Sequence, residues 1–163
     1  MPAPELEPIT WRALVALADV VRGITTAAGY RTDLGAGKVV LDDEEVDGDE
    51  TDDACTFIDA GDIDPAAGGK RFDSPSVDIT IEFVVPRRTG VQAKLLAHRG
   101  CADLIRALNF KTTGRDTNLP QGFTSFELTG ARLRGYTDEE QAASFVIAQV
   151  TARAGLTELH SPA

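Results

Sequence analysis

The sequence predicts an α/β (α+β) fold: a mixed, mostly antiparallel sheet flanked by two main helices, in the order α-β-β-β-α-β-β. Three observations lead there. Apolar residues recur at helical spacing in two separate stretches, from Trp11 to Ile24 and from Val91 to Leu108. Strict alternation over Ser76 to Val85 marks a strand with one buried and one polar face, the pattern of an antiparallel sheet covered on one side. The other strand-like runs lie between and after the helical stretches, with no internal repeat and no linker long enough to divide the chain. At 163 residues, 42% hydrophobic and 26% charged, the chain is expected to be a single domain over 1–163 with its core in residues 10–155.

The first helix takes Thr10 as its expected cap, and Trp11, Leu14, Val15, Ala18, Val21 and Ile24 form its inward stripe. Asp19 and Arg22 fall on the opposite face. Ala27-Ala28-Gly29 supplies the stop, with Gly29 suited to a left-handed cap. A turn-rich connection, Tyr30 to Gly37, leads to a strand at Lys38 to Leu41. In it Gly35 and Gly37 are expected at positive φ, and Asp33 is placed to cap its own turn. A phosphate cradle runs strand, loop, helix; here the order is reversed, which argues against nucleotide binding.

Ala54 to Ala60 reads as a short strand and Gly61 to Pro75 as a loop. In the next strand Val77, Ile79, Ile81, Phe83 and Val85 face the core, and Pro86 ends it. Thr89-Gly90-Val91-Gln92 matches a capping box for the second helix. Its predicted inward stripe is Val91, Leu95, His98, Ala102, Ile105 and Leu108, with Cys101 at the margin. Phe123 to Leu133 and Ala142 to Arg153 are the last two strands, joined by a hairpin loop at Gly135 to Glu140. Apolar residues on both faces of the last strand suit an inner position in the sheet.

Charge is distributed very unevenly. The twelve residues Asp42 to Asp53 hold nine carboxylates and no base, and Val39 to Gly69 holds twelve carboxylates and no base. The formal charge of −10 is thus −12 from that one segment against +2 elsewhere. Such a segment repels polyanions and attracts a basic partner. With Gly48 at the sixth position of a calcium loop, Asp43, Glu45 and Asp47 fall at ligand positions, but Ala54 stands where the bidentate Glu is required. A solvated acidic loop is the expectation. Arg87 to Arg115 is the counterpart, with seven bases and one acid, Asp103. Arg87 and Arg88 follow Pro86 and are expected to be exposed.

Chemistry-bearing constellations are sparse. His98 and His160 are the only histidines and are not spaced for a metal or a triad, and there is no nucleophile elbow. Neither catalytic residues, metal nor cofactor is therefore assigned. Cys55 and Cys101 are expected as two buried thiols in a reducing cytoplasm. No run approaches the ~18 apolar residues of a membrane span, and MPAPELEPITW lacks the basic and apolar regions of a signal peptide.

The leading amphipathic helix running into Gly29-Tyr30-Arg31-Thr32-Asp33-Leu34-Gly35 and a strand resembles the tail terminator and minor tail proteins of tailed bacteriophages. The element order is similar to theirs over about residues 10–155 (a lambda-like tail terminator fold). The resemblance implies a structural virion protein that caps the tail tube as a six-membered ring, ends tube polymerisation and forms the head-proximal joining surface. It implies as partners other copies of the chain, the tail tube protein and a head-completion or neck protein. DNA would pass through without specific binding, and no membrane is involved. The implied location is the virion tail, with the host cytoplasm during assembly.

A heterologous ring needs two complementary patches on each subunit. Asp42, Asp43, Glu44, Glu45, Asp47, Asp49 and Glu50 on one side, and Arg87, Arg88, Arg99 and Arg106 on the other, are the candidate pair. Two other classes stay open on sequence grounds. One is an acidic adaptor or nucleic-acid mimic, monomeric and bound to a basic protein; the other is a small enzyme with dispersed site residues.

Overall fold

The computed structural model describes residues 7–41, 53–65, 72–87, 92–112, 115–116, 118–135 and 145–159. Its elements are α1 (Ile9–Arg22), β1 (Lys38–Leu41), β2 (Cys55–Asp64), β3 (Phe72–Asp73), β4 (Ser76–Pro86), α2 (Ala93–Ala107), β5 (Lys111–Thr112), β6 (Arg115–Asp116), β7 (Phe123–Arg134), β8 (Phe145–Leu156) and β9 (Glu158–Leu159). Five strands make the main sheet in the order β1-β2-β4-β8-β7. β1 runs parallel to β2 and every other pair in it is antiparallel, so the sheet is mixed and mostly antiparallel as the sequence predicts. β3 pairs with β9 and β5 with β6 as short ribbons outside it, and neither is visible in the sequence pattern.

β4 shows why that strand was readable. Val77, Ile79, Ile81, Phe83 and Val85 are buried on the helix-covered face, and the alternate residues are half-buried on the other. β8 lies beside it with Val146, Ala148, Val150, Ala152, Ala154 and Leu156 buried, and its inner position agrees with the prediction. Leu14, Leu17, Val21 and Ile24 from the α1 side, Ile58 from β2 and Leu104 from α2 complete one hydrophobic core. Fully burying each such side chain contributes ~1.5–3 kcal/mol. At one end an aromatic cluster joins the exit of α2 to β7, with Phe110 edge-on to Phe126 at 5.2 Å between centroids.

Several local expectations are corrected. α1 begins at Ile9 with Pro8 as its N-cap, so Thr10 is helical and does not cap. It ends at Gly23; Gly29 does adopt the left-handed conformation (φ 91°), but it closes a 3-10 turn over Thr26–Ala28. Gly35 and Gly37 are not at positive φ, because both lie in or beside a second 3-10 turn. Gly35 is required for a different reason: a Cβ there would stand 2.3 Å from the Val21 carbonyl oxygen. β2 continues to Asp64, well into the expected loop, through a register shift against β4 between Ala60 and Ile63.

The largest correction concerns α2. Its N-cap is Gln92, which makes no side-chain capping bond, and the helix starts at Ala93, immediately after the box and three residues later than Gly90, where the box would begin it; Thr89 lies outside the described residues. The buried face is Ala93, Ala97, Gly100, Asp103 and Leu104, continued by Leu108 just past the helix; of the predicted stripe Leu108 is buried, Ala102 is half-buried, and Val91 lies outside the described residues. Leu95 and Ile105 are 41% and 39% exposed, and His98 is exposed as well. The reason is steric: small residues let the helix descend onto a sheet face of β-branched residues, where the Phe83 ring lies directly beneath Gly100.

Candidate assembly surface

The heptapeptide Gly29 to Gly35 is organised by one buried carboxylate. Asp103 on α2 has no solvent exposure, and its Oδ2 accepts from the Thr32 amide at 2.8 Å and from Thr32 Oγ1 at 2.8 Å. Its Oδ1 accepts from the Arg31 amide at 3.1 Å. Asp33 in turn accepts from the Thr26 amide at 2.7 Å and the Thr26 hydroxyl at 2.9 Å, holding the preceding turn. That is a cap seven residues back in sequence, in place of the local cap expected. Leu34 enters the core, and the Gly35 amide donates to the Ile24 carbonyl at 2.9 Å. The segment thus fixes where α1 ends, how α2 sits beside it and where β1 begins.

Arg106 adds a second tie. It donates to the Gly29 carbonyl at 2.7 Å, and its guanidinium lies 4.7 Å from the centre of the Tyr30 ring. Although exposed, this base is engaged inside the subunit. Arg87 is half-buried, not exposed as the sequence suggested, and donates to the Gly135 carbonyl at the end of β7. Arg99 is exposed on α2 and has no ion-pair partner among the described residues. Asp42, Asp43, Glu44, Glu45, Asp47, Asp49, Glu50 and Arg88 lie outside the described residues.

Two surfaces stand out, the first of which holds the sequence-predicted Arg99 and Arg106 beside apolar residues expected inside. The outward face of α2 carries Leu95, His98, Arg99, Ala102, Ile105 and Arg106 at helical spacing. At the far end of β2, past its register shift, Ile63 is 51% exposed between the exposed carboxylates of Asp62 and Asp64. On the sheet face away from the helices, cross-strand pairs line up. Glu82 meets Arg134 at 2.6 Å, Asp78 meets Arg153 at 3.0 Å, and Gln149 accepts from Arg132 at 2.9 Å. The exposed pairs among these, Asp78–Arg153 and Gln149–Arg132, contribute at most ~1 kcal/mol each and serve solubility and register more than stability, while Glu82–Arg134 is part-buried.

Among the described residues, no three His, Cys, Asp or Glu side chains are placed to hold a metal ion. No described helix is long and apolar enough to cross a membrane. Cys55 is buried and Cys101 half-buried; both are free thiols whose pKa is raised by burial, that of Cys55 partly offset by Lys38.

No protein-family model matches the chain, and no curated protein sequence matches it. Among solved structures, it is similar to a chain in the virion of a native gene transfer agent (GTA) particle. The TM-score is 0.52 at 17% sequence identity, over 89% of this chain and 94% of that one. At that identity the likeness establishes a shared fold.

Proposed function

We propose that this chain is a structural protein of a phage-like virion, closing as a ring on the end of a tail tube. There it stops tube polymerisation and presents the head-proximal joining surface. The observation that carries the reading is the fold likeness, along nearly the whole of both chains, to a chain of a gene transfer agent virion. The Gly29–Gly35 segment supports it from the sequence side, since the stretch that resembles tail terminators is the one that Asp103 anchors at the junction of both helices and β1. Charge fits the role: a net −10, set by −12 in one segment against +2 elsewhere, keeps a ring from gripping the DNA that passes through it.

On this reading the chain's partners are its own copies, the tube protein and a neck or head-completion protein, and its place is the virion tail. Multi-angle light scattering across a concentration series tests the assembly half. The ring predicts a mass that rises to a closed multiple of the 17.4 kDa subunit, with six copies as the expected stoichiometry. A mass that stays at one subunit, together with tight binding of a basic protein, would support the acidic-adaptor reading instead.

A further inference from the structure

We propose that the open edge of the main sheet, strand β7, pairs antiparallel with β7 of a second copy, across a twofold axis between Thr129 and Gly130. The sheet ends in two strands, β1 and β7. β1 is short, and Val39, Val40 and Leu41 in it are buried. β7 runs for 12 residues with neither proline nor lysine, and Glu127, Thr129, Gly130, Ala131 and Arg132 on it are exposed. Among the described residues its ladder partners lie in β8 alone, so the other side of its backbone offers unpaired amides and carbonyls. Such an edge is completed by another open strand, and the strand of this chain that is long and exposed at a sheet edge, among those described, is β7 itself.

The strand is complementary to itself in that register. β7 slips against β8 between Leu128 and Gly130, and Thr129 is the residue left over. Before the slip Glu127 lies opposite Arg153, and after it Arg132 lies opposite Gln149, both on the face away from the helices. Leu128 and Ala131 lie opposite Ala152 and Val150, which are buried on the helix side. A pairing centred between Thr129 and Gly130 therefore matches both faces. Glu127 of each copy meets Arg132 of the other, and Leu128 meets Ala131. Without the slip, the same register would set outward residues against inward ones. Gly130, at the axis, has no side chain to hold the strands apart. Among the described residues Glu127 has no ion-pair partner in its own subunit, and Arg132 bonds Gln149 through Nε alone. The contact stands apart from the ring reading: a twofold pair closes at two copies, whereas a ring needs a head-to-tail contact.

The test exchanges the charges. Glu127→Lys and Arg132→Glu each set like charges together in both halves of the contact. Sedimentation velocity should show dimerisation at least about tenfold weaker for either variant than for wild type, with unchanged circular dichroism. Mixed together, the two should pair again, because each offers the other two opposite-charge contacts. The double variant Glu127→Lys/Arg132→Glu should recover dimerisation by itself. Hydrogen exchange on the wild type reads the backbone pairing without any variant: amides within 127–132 should exchange more slowly as concentration rises. Single variants that dimerise as well as wild type, or a mixture that stays monomeric, overturn the register. A wild-type chain that shows no dimer at any concentration, or exchange at 127–132 that ignores concentration, overturns the pairing.

Discussion

Replacing Asp103 with alanine removes the acceptor of three hydrogen bonds at once, in a place with no solvent exposure. The Thr32 amide and hydroxyl are themselves buried, and each loses its partner; the Arg31 amide is nearer the surface and can turn to water. Leaving a buried donor unsatisfied costs ~1–3 kcal/mol, so two of them give a loss of about 3–5 kcal/mol once partial relaxation is allowed. In a domain of this size each kcal/mol moves the melting temperature by ~2–4 °C, so the midpoint should fall by roughly 6–20 °C. Asp103→Asn should cost less, about 1–2 kcal/mol, because its remaining oxygen keeps part of the acceptor set while its NH2 opposes a donor. Urea unfolding gives the free energies. A double-mutant cycle with Thr32→Val isolates the coupling, expected at ~1 kcal/mol or more. Native hydrogen exchange at the Thr32 amide should accelerate in parallel. If Asp103→Ala loses under ~0.5 kcal/mol, or exchange at Thr32 is unchanged, the carboxylate is not the organiser of the 29–35 segment.

Gly100→Ala should destabilise, although alanine is the better helix former by ~1 kcal/mol, because its Cβ would stand 2.3 Å from the Phe83 ring. Overpacking of that kind costs ~1–3 kcal/mol, and Phe83→Leu in the same background should recover part of it; a stabilised Gly100→Ala refutes the close helix–sheet approach. Arg87→Ala should lower stability by ~1–2 kcal/mol through loss of the hydrogen bond that its guanidinium donates to the Gly135 carbonyl, a loss that chemical denaturation would read directly and that a purely solvated arginine would not show. The two thiols set a pH dependence: burial raises both in the folded state, so the unfolded thiols ionise first. Their contribution is intact below the ordinary value of 9.0 and is lost as pH rises above it toward the folded values. Urea midpoints should therefore fall less steeply with alkaline pH in Cys55→Ala/Cys101→Ala than in wild type, and equal slopes would count against buried thiols.

What the sequence made legible was the part governed by one strong period. β4 alternates without interruption from Ser76 to Val85, and the structure buries that apolar set. The sheet class and element order follow from such runs. The faces of α2 were illegible because apolarity was the wrong signal there. Leu95 and Ile105 outweigh Gly100 and Ala97 on any hydrophobicity scale, yet tight packing on a bulky sheet selects the small residues. The predicted stripe splits as a result: Leu108 is buried as expected, while Leu95, His98 and Ile105 face outward. Asp103 stood out in the sequence only as the single acid of a basic segment. Its partner Thr32 lies 71 residues away, and no local pattern joins them. Ile63 was hidden because the register shift that exposes it depends on its pairing with β4.

The central claim is that the chain ends a tail tube. The most direct measurement is electron microscopy of tube protein polymerised with and without this chain. Shorter tubes are expected in its presence, each capped at one end by a ring of density. Tubes that grow to the same lengths in its presence, with bare ends and none of the chain sedimenting with them, would contradict it.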